Sequence, residues 1–531
     1  MQLSEHDLKQ LDEERVRSFA PEDLCILSLK LLADLKEARD RLNQSPDNSS
    51  RPPSSRAPWE KASTDGQSDG EDGWPPEADR TGKQEAEPDD APSDAQDTKD
   101  VEQEESAPTK EPRGEPGKPG KPKGQPGHGR TVELPVTAEE THRPHKCAAC
   151  ERALPPDAPQ QAHNGRYEID IISPSSGAPG LELTHTKHTY VDCQCVCGHW
   201  TRAVPGRCAD EEGWTVALSE WHLVGPGLVS LICALNLRLH CSRARIREFL
   251  LDWLRVDICT ATINQCIHEA GRAVEPVVTG EIAEAVRQAE LVYADETGWK
   301  QNGRPLWLWV FTCATASLFV VGRRTQDIVL RILGEQFPNW LMSDGYCVYR
   351  QYDWRLRCLA HLIRKAKGLE QSLDAEANDF GKKTLEILET LMAAVYRARE
   401  GPPEVPLSKQ YATVLLKFLA VCDLNANAKH EKTRALAREL LNDWNTFWVV
   451  LDYPWLPLTN NEAERALRHW VIARRISYGT RTAQGSRAFG LTISVIETCR
   501  KRGVAPWPYL AEVIRQRRKG LSAPPLPQPA V

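Results

Sequence analysis

Two stretches of this chain decide its fold. Leu291-Val292-Tyr293-Ala294-Asp295-Glu296-Thr297 is an apolar run that ends in acids, and Trp340-Leu341-Met342-Ser343-Asp344-Gly345 repeats the pattern 49 residues later. Short runs of this kind, bounded by turn-forming residues, read as strands buried in a sheet. Between them, Leu306–Phe311 and Ser317–Val321 read as two more strands and Thr325–Leu333 as a helix. After them, Arg357–Lys367 opens a passage into helix, 370–447 reads as almost wholly helical, and 460–475 and 484–501 as two further helices. Three strands, a helix, a fourth strand with an acid at its tip and then helices is the element order of a ribonuclease-H-like α/β core.

Acids at strand ends matter because strand ends open onto clefts. A single aspartate there can simply be a solvated turn residue. Asp295 and Asp344 together suggest a site for hard divalent cations, which prefer carboxylate oxygen. A third acid belongs to Thr459-Asn460-Asn461-Glu462-Ala463-Glu464-Arg465-Ala466-Leu467-Arg468. Thr459 with Glu462, or Asn461 with Glu464, has capping-box spacing, so either glutamate has a purely local explanation. Helical geometry places Glu464 with Asn461, Arg465 and Arg468 on one face and Glu462 on another, which favours Glu464 as the site residue.

Working outward, the first 130 of 531 residues hold 30 acidic and 19 basic side chains, a net charge of −11; the remaining 401 hold 44 and 48, a net of +4. The overall −7 therefore hides a mildly basic body suited to nucleic-acid phosphates. Residues 1–45 form a helical N-terminus in which Leu24, Leu27, Leu31, Leu35, Ala38 and Leu42 trace a short coiled-coil seam. Residues 46–135 are acidic, then rich in Pro, Gly and Lys, with too few large apolar groups to offset ordering entropy, and read as a disordered linker. Residues 216–285 contain helices at Pro226–Leu239, from Ser242 to Leu254 and from Thr260 to Gly271, which suits a helix-turn-helix-like DNA-binding region or a plain helical spacer.

Sixteen cysteines without a secretory signal point to a cytoplasmic setting and to metal ligands rather than disulfides. The longest apolar run, Leu306–Val321, is too short and too strand-like to span a membrane. In the module at 140–212, Cys147-x-x-Cys150 has zinc-knuckle spacing. Its partners lie in Cys193-x-Cys195-x-Cys197: Cys197 with Cys195, or alternatively with Cys193.

Several segments together resemble the transposases of the insertion-sequence-66 family. They are Asn48–Ser55 of the linker, Asp295-Glu296-Thr297, Ser343-Asp344-Gly345-Tyr346, Cys358-Leu359-Ala360-His361 with Arg364 and Lys365, Asn460-Asn461-x-x-Glu464-Arg465-Ala466-Leu467-Arg468, and the C-terminal stretch from Gly485 to Leu510. The resemblance implies a DDE-type core over 288–510, with a helical insertion at 365–450 and a basic, Pro-containing tail at 511–531. It assigns the catalytic acid to Glu464. It implies Mg²⁺ or Mn²⁺ at Asp295, Asp344 and Glu464, and structural Zn²⁺ at Cys147, Cys150, Cys195 and Cys197. It further implies DNA contacts from Arg465, Arg468, Arg474, Arg475, Arg364 and His361, although His361 alone also reads as a buried structural residue. Terminal inverted repeats and target DNA would be the partners, with a homo-oligomer on DNA, companion proteins of the same element and a nucleoid-associated location. A transposase-derived DNA-binding protein and a metal-dependent nuclease without strand transfer are the competing readings. Thr459, where the family usually has Asp, and Arg475-Ile476-Ser477-Tyr478-Gly479 depart from its pattern.

Overall fold

The computed structural model describes residues 11, 16–42, 135–174, 177, 179–203, 223–401 and 403–528. The expected linker up to residue 134, residues 204–212 of the cysteine module and 216–222 of the helical region lie outside them. The chain divides into residues 58–133, which are outside the described set, and the remainder, described below.

Helix α1 (Pro21–Leu42) carries Glu22 and Asp23 in its first turn, where the helix dipole favours acids. Of its apolar stripe, Leu31 and Leu35 are exposed. The cysteine module is a sheet of β1 (Ala138–His142), β2 (Gln160–Ile172), β3 (Glu182–Gln194) and β4 (Trp200–Arg202), with β3 pairing to all three others. The end of β2 ties it to the helical region. Ile169 exchanges backbone bonds with Leu223 and Gly225 (2.7 and 2.8 Å), and the Asp170 carboxylate accepts from Leu228 N at 2.8 Å. That carboxylate caps the N-terminus of α2 (Pro226–Cys233) from another element, and Gly225 is required because a Cβ there would lie 2.3 Å from Asp170.

Helix α2 ends in a π-turn (Ala234–Arg238), α3 (Arg243–Leu254) is capped by Ser242 as its sequence suggests, and α4 spans Thr260–Val277. The expected end of the third helix at Gly271 is corrected: the helix continues six residues further, and a π-turn leads on to α5 (Ala283–Gln288). Gly271 is a close-approach residue. A Cβ there would sit 2.6 Å from Ala488 on a neighbouring helix.

The second sheet is β5 (Leu291–Gln301), β6 (Arg304–Thr312), β7 (Ser317–Gly322), β8 (Trp340–Ser343) and β9 (Arg355–Arg357), with α6 (Gln326–Leu333) between β7 and β8. Its order is β7-β6-β5-β8-β9. The β5–β6 and β6–β7 pairs are antiparallel, and β5–β8 and β8–β9 are parallel. Next come α7 (Leu359–Glu370) and a helical insertion: α8 (Ala375–Glu400), α9 (Leu407–Gln410), α10 (Ala412–Asn425), α11 (Glu431–Asn442) and α12 (Trp444–Trp448). The insertion and α7 share a separate apolar core around Leu362, Phe380, Leu388, Phe418 and Leu440.

Three helices close the fold: α13 (Asn461–Ser477), α14 (Ala483–Lys501) and α15 (Pro506–Arg518). Helix α14 lies along the edge strand β7 and serves its free N–H groups: Ser317 N donates to Thr498 Oγ1 (3.0 Å) and Phe319 N to Ser494 Oγ (2.8 Å). Covering an edge in this way removes a template for unwanted strand pairing. The expected tail from residue 511 is likewise corrected. Helix α15 runs to Arg518, whose buried guanidinium meets both oxygens of fully buried Glu269 (2.7 and 2.9 Å) and the Val224 carbonyl. Among the described residues no helix is long and apolar enough to cross a membrane.

Candidate active site

The parallel pairing of β5 with β8 ends at Tyr293 opposite Met342. Two residues on from that pair stand Asp295 and Asp344, where the two strands part. Asp344 lies just past the end of β8, but the expected strand end at Asp295 is corrected, because β5 runs on to Gln301 paired with β6. Asp295 Oδ1 accepts from Glu296 N (2.9 Å), and Asp344 Oδ1 from Tyr346 N (2.9 Å). Glu464 enters from the first turn of α13.

Four backbone-anchored bonds bring these segments together. Asn460 Nδ2 donates to Ala294 O (2.9 Å), Cys358 N to Ser343 O (3.1 Å), Asn460 N to Cys358 Sγ (3.2 Å) and Leu359 N to Leu458 O (2.9 Å). Ala294 and Ser343 each precede one of the aspartates, and Glu464 N donates to Asn460 O (3.1 Å). Asn460 is therefore the hub of the site, fully buried, with its Oδ1 unpartnered. The sequence shows it only as part of a motif, between the capping candidates Thr459 and Asn461, and gives it no role of its own. Neither capping box forms: Asn460 itself occupies the N-cap, without a side-chain cap bond.

The electrostatics are those of an anionic cleft. Burial raises the Asp295 carboxyl well above the usual range, and the charges of Asp344, Glu296 and Glu464 add to the rise. Glu464 Oε1 lies 3.4 Å from Arg364 and 3.9 Å from His361 Nε2. Burial, helped by Arg364, Lys365 and Arg357, pushes His361 down to about 3, so its ring is neutral. Glu462 turns elsewhere, to Lys501 (3.2 Å) and Arg465 (3.6 Å).

Glu296 was read only as part of a motif, yet it organises the loop after Asp344. Its buried carboxylate accepts from Arg324 Nη2 (2.8 Å) and from Tyr349 Oη (2.9 Å). Arg324 lies over the rings of Trp307 (4.3 Å) and Tyr346 (3.9 Å). Burial and the Asp344 charge raise Glu296 to about 7 despite these partners. The partners are 28 and 53 residues away in sequence, so no local signal exposes them. From the other side, the insertion grips the site through charge. Lys365 pairs with Glu439 (2.6 Å), and Arg355 (3.2 Å) and Arg357 pair with Asp443.

The expected basic residues divide. Arg465 and Arg468 are exposed and, with Arg238, His469, Glu497 and Arg500, line a cleft of about 270 Å³. Arg475 is exposed nearby on the same helix. Arg364 instead braces Glu464, and Arg474 turns inward to Thr297 Oγ1 (3.1 Å) and Gly298 O.

In the cysteine module, the Sγ atoms of Cys147, Cys150, Cys195 and Cys197 lie within 4.8 Å of one another. Cys147 approaches Cys197 at 3.7 Å and Cys150 approaches Cys195 at 3.6 Å. Cys193, the alternative in the sequence, is fully buried and outside the group.

Fold and site thus define an α/β protein with a carboxylate cleft on a mixed sheet and a separate four-thiol cluster. The chain belongs to the transposase IS66 family, whose model matches residues 222–488 and so contains all three acids. It is 28% identical over 130 residues to the uncharacterized protein y4jO of Sinorhizobium fredii (strain NBRC 101917 / NGR234), covering 24% of this chain and 40% of that protein. It is 22% identical over 348 residues to the uncharacterized protein y4qI of the same strain, covering 59% of this chain and 64% of that protein. The matches therefore span less than two thirds of either relative. No solved structure matches the chain.

Proposed function

We propose that the protein is a DDE-type transposase, with Asp295, Asp344 and Glu464 as its catalytic acids, that cuts the ends of its mobile element and joins them to target DNA. The carrying observation is the gathering of acids at Asp295: burial and the charges of Asp344, Glu296 and Glu464 all push its carboxyl well above the usual range. A half-buried set of acids with this excess of negative charge suits divalent cations. The sheet order, with three antiparallel strands followed by two parallel ones, supports the ribonuclease-H-like reading of the core.

Asp295, Asp344 and Glu464 would hold Mg²⁺ or Mn²⁺, which in such sites activates the attacking oxygen and stabilises the leaving one. The chain's own part is positioning. Asn460 fixes α13 against β5, the Glu296–Arg324–Tyr349 group fixes the loop after Asp344, and Arg364 orients Glu464. Neutral His361 beside Glu464 is suited to hydrogen bonding with a flanking phosphate rather than to charge neutralisation. Arg465, Arg468 and Arg475 contact phosphates, aided by Arg238 and Arg500. Cys147, Cys150, Cys195 and Cys197 hold a structural Zn²⁺. The cysteine module and α2–α4 recognise element ends, and the chain acts as an oligomer on DNA, with α1 in self-association.

The test is Mg²⁺- or Mn²⁺-dependent cleavage and joining of DNA that carries the element's terminal repeats. Wild type is expected to do both and Asp344→Asn neither. Cleavage without joining would reduce the protein to a nuclease, and binding without cleavage to a DNA-binding derivative.

A further inference from the structure

We infer that Glu140, His142 and His188 form a second metal site, for a borderline divalent transition cation of the zinc type, on the sheet that also carries the four cysteines.

The placement follows from strand geometry. Strand β1 pairs with β3 in parallel, with Glu140 opposite His188 and His142 opposite Tyr190. Alternate residues of a strand share a face, so these four side chains point the same way. One ligand atom from each of Glu140, His142 and His188 lies within 4.8 Å of the others. His142 Nε2 faces His188 Nδ1 at 2.9 Å, and a Glu140 oxygen lies 3.3 Å from the same His188 nitrogen.

Each ring is held for this purpose. His142 stacks on Tyr190, with centroids 4.4 Å apart and planes 14° apart. His188 is buried, and its Nε2 has no hydrogen-bond partner, so its polar engagement is through Nδ1 into the cluster. The neutral imidazole is the form that binds metal. The nearby positive charge, Arg166, is paired with Glu168 at 2.8 Å.

Two neutral rings can share one proton across 2.9 Å. A cation between them would use both lone pairs. Zinc–nitrogen bonds of 2.0–2.1 Å at a tetrahedral angle separate the nitrogens by about 3.3 Å, a shift of a few tenths of an ångström from the observed gap. Two imidazoles and a carboxylate suit zinc, whereas Mg²⁺ and Ca²⁺ prefer all-oxygen sets.

The site would meet a need of the fold. Strand β1 has five residues, four of them exposed, and sits at the sheet edge. His142 precedes Cys147 by five residues and His188 precedes Cys195 by seven. The two strands would be stapled by the imidazoles, and the segments that run on from them by the thiols.

Zinc content of the full-length chain tests this, measured by elemental analysis after dialysis against Mg²⁺ to clear the carboxylate cleft. Wild type is expected to retain two equivalents and His188→Gln one. Glu140→Gln, at an exposed position, is expected to release the second zinc to a competing chelator at least roughly tenfold more readily. Cobalt substitution separates the sites. The thiolate charge-transfer band belongs to the cysteines and should survive both substitutions, while a weaker visible band should vanish with His188→Gln. One equivalent in wild type, or a second equivalent that survives both substitutions, overturns the inference.

Discussion

The carboxylate cleft and the cysteine cluster are built on opposite plans. The acids come from positions 295, 344 and 464, on elements separated by a large helical insertion. They are held together by a rigid frame that folds around an apolar core. The thiols come from segments beside a sheet that, among the described residues, adds Ile169 and Ile171 to that core, with Leu183 packed against it. On the reading proposed above, the first site is a strained consequence of a stable fold, and the second would be a condition for local folding. In the first, protein holds like charges together; in the second, a metal would hold the protein together.

The sharpest way to break this contrast is Asp344→Asn. Losing one carboxylate of three should lower DNA cleavage by on the order of 10³-fold or more, a loss at least comparable to that of one transition-state-stabilising donor. Stability should move the other way. Asp295 is held above its unfolded value partly by Asp344, so it contributes stability at low pH that is lost as pH rises through its raised folded value. Removing a repelling neighbour should therefore leave the melting temperature at pH 7 unchanged or higher without Mg²⁺. Mg²⁺ should stabilise wild type, by about 2.7 kcal/mol at a hundredfold excess over its dissociation constant, and the variant much less. A variant that melts lower without Mg²⁺ would mean that the carboxylates are not in conflict.

Cys150→Ser should behave in the reverse sense. Structural zinc supplies on the order of 10 kcal/mol in small domains, so a lost ligand should unlock the local fold. Limited proteolysis within 135–203 is expected to accelerate at least roughly tenfold, while the catalytic core keeps its protection. Equal protection in wild type and variant would show that the sheet stands without its metal.

The two plans also explain what could be read in advance. Apolar runs that meet an acid are local, so Asp295 and Asp344 were visible as a pair, but only Asp344 stands past a strand end, since β5 runs on from Asp295 to Gln301. Glu464 was favoured over Glu462 by a face shared with Arg465 and Arg468, but the structure does not keep that grouping: Arg465 pairs with Glu462, which also meets Lys501, while Glu464 faces Arg364 and His361. Cys-x-x-Cys spacing is local too. Invisible were groups defined by tertiary contact alone: Asn460 against Ala294, Glu296 with Arg324 and Tyr349, and Glu140 opposite His188 across a parallel pairing. Composition misplaced the C-terminal boundary in the same way. Arg515, Arg517 and Arg518 read as a tail, but Arg518 has a buried partner almost 250 residues earlier.

Asn460→Ala tests how far the frame, rather than the acids, sets the first site. It removes the bond to Ala294 and leaves that carbonyl buried, which costs about 1–3 kcal/mol. Thermal or denaturant unfolding should show that loss. The cleavage rate should fall with an unchanged dissociation constant for DNA, because Glu464 loses its register while the arginines do not. A parallel loss of affinity would show that Asn460 also shapes the DNA surface.

The smallest effect belongs to the outer side of α13. Its inner turn carries Glu464, whereas Arg465 and Arg468 join Arg238 and Arg500 around a cleft. Glu497 lies in the same cleft, 3.9 Å from Arg238, with its carboxyl raised by burial against the opposing pull of Arg500 and Arg238. If these arginines meet phosphates, Arg500→Ala should weaken binding only a few-fold but reduce the slope of log affinity against log salt by about 0.9, one counterion's worth. Glu497→Gln removes a negative charge facing the same phosphates, so it should tighten binding a few-fold at low salt. Neither should alter cleavage at saturating DNA. The two opposite shifts make the test specific, because a merely structural cleft would weaken binding in both variants and leave the salt slope unmoved.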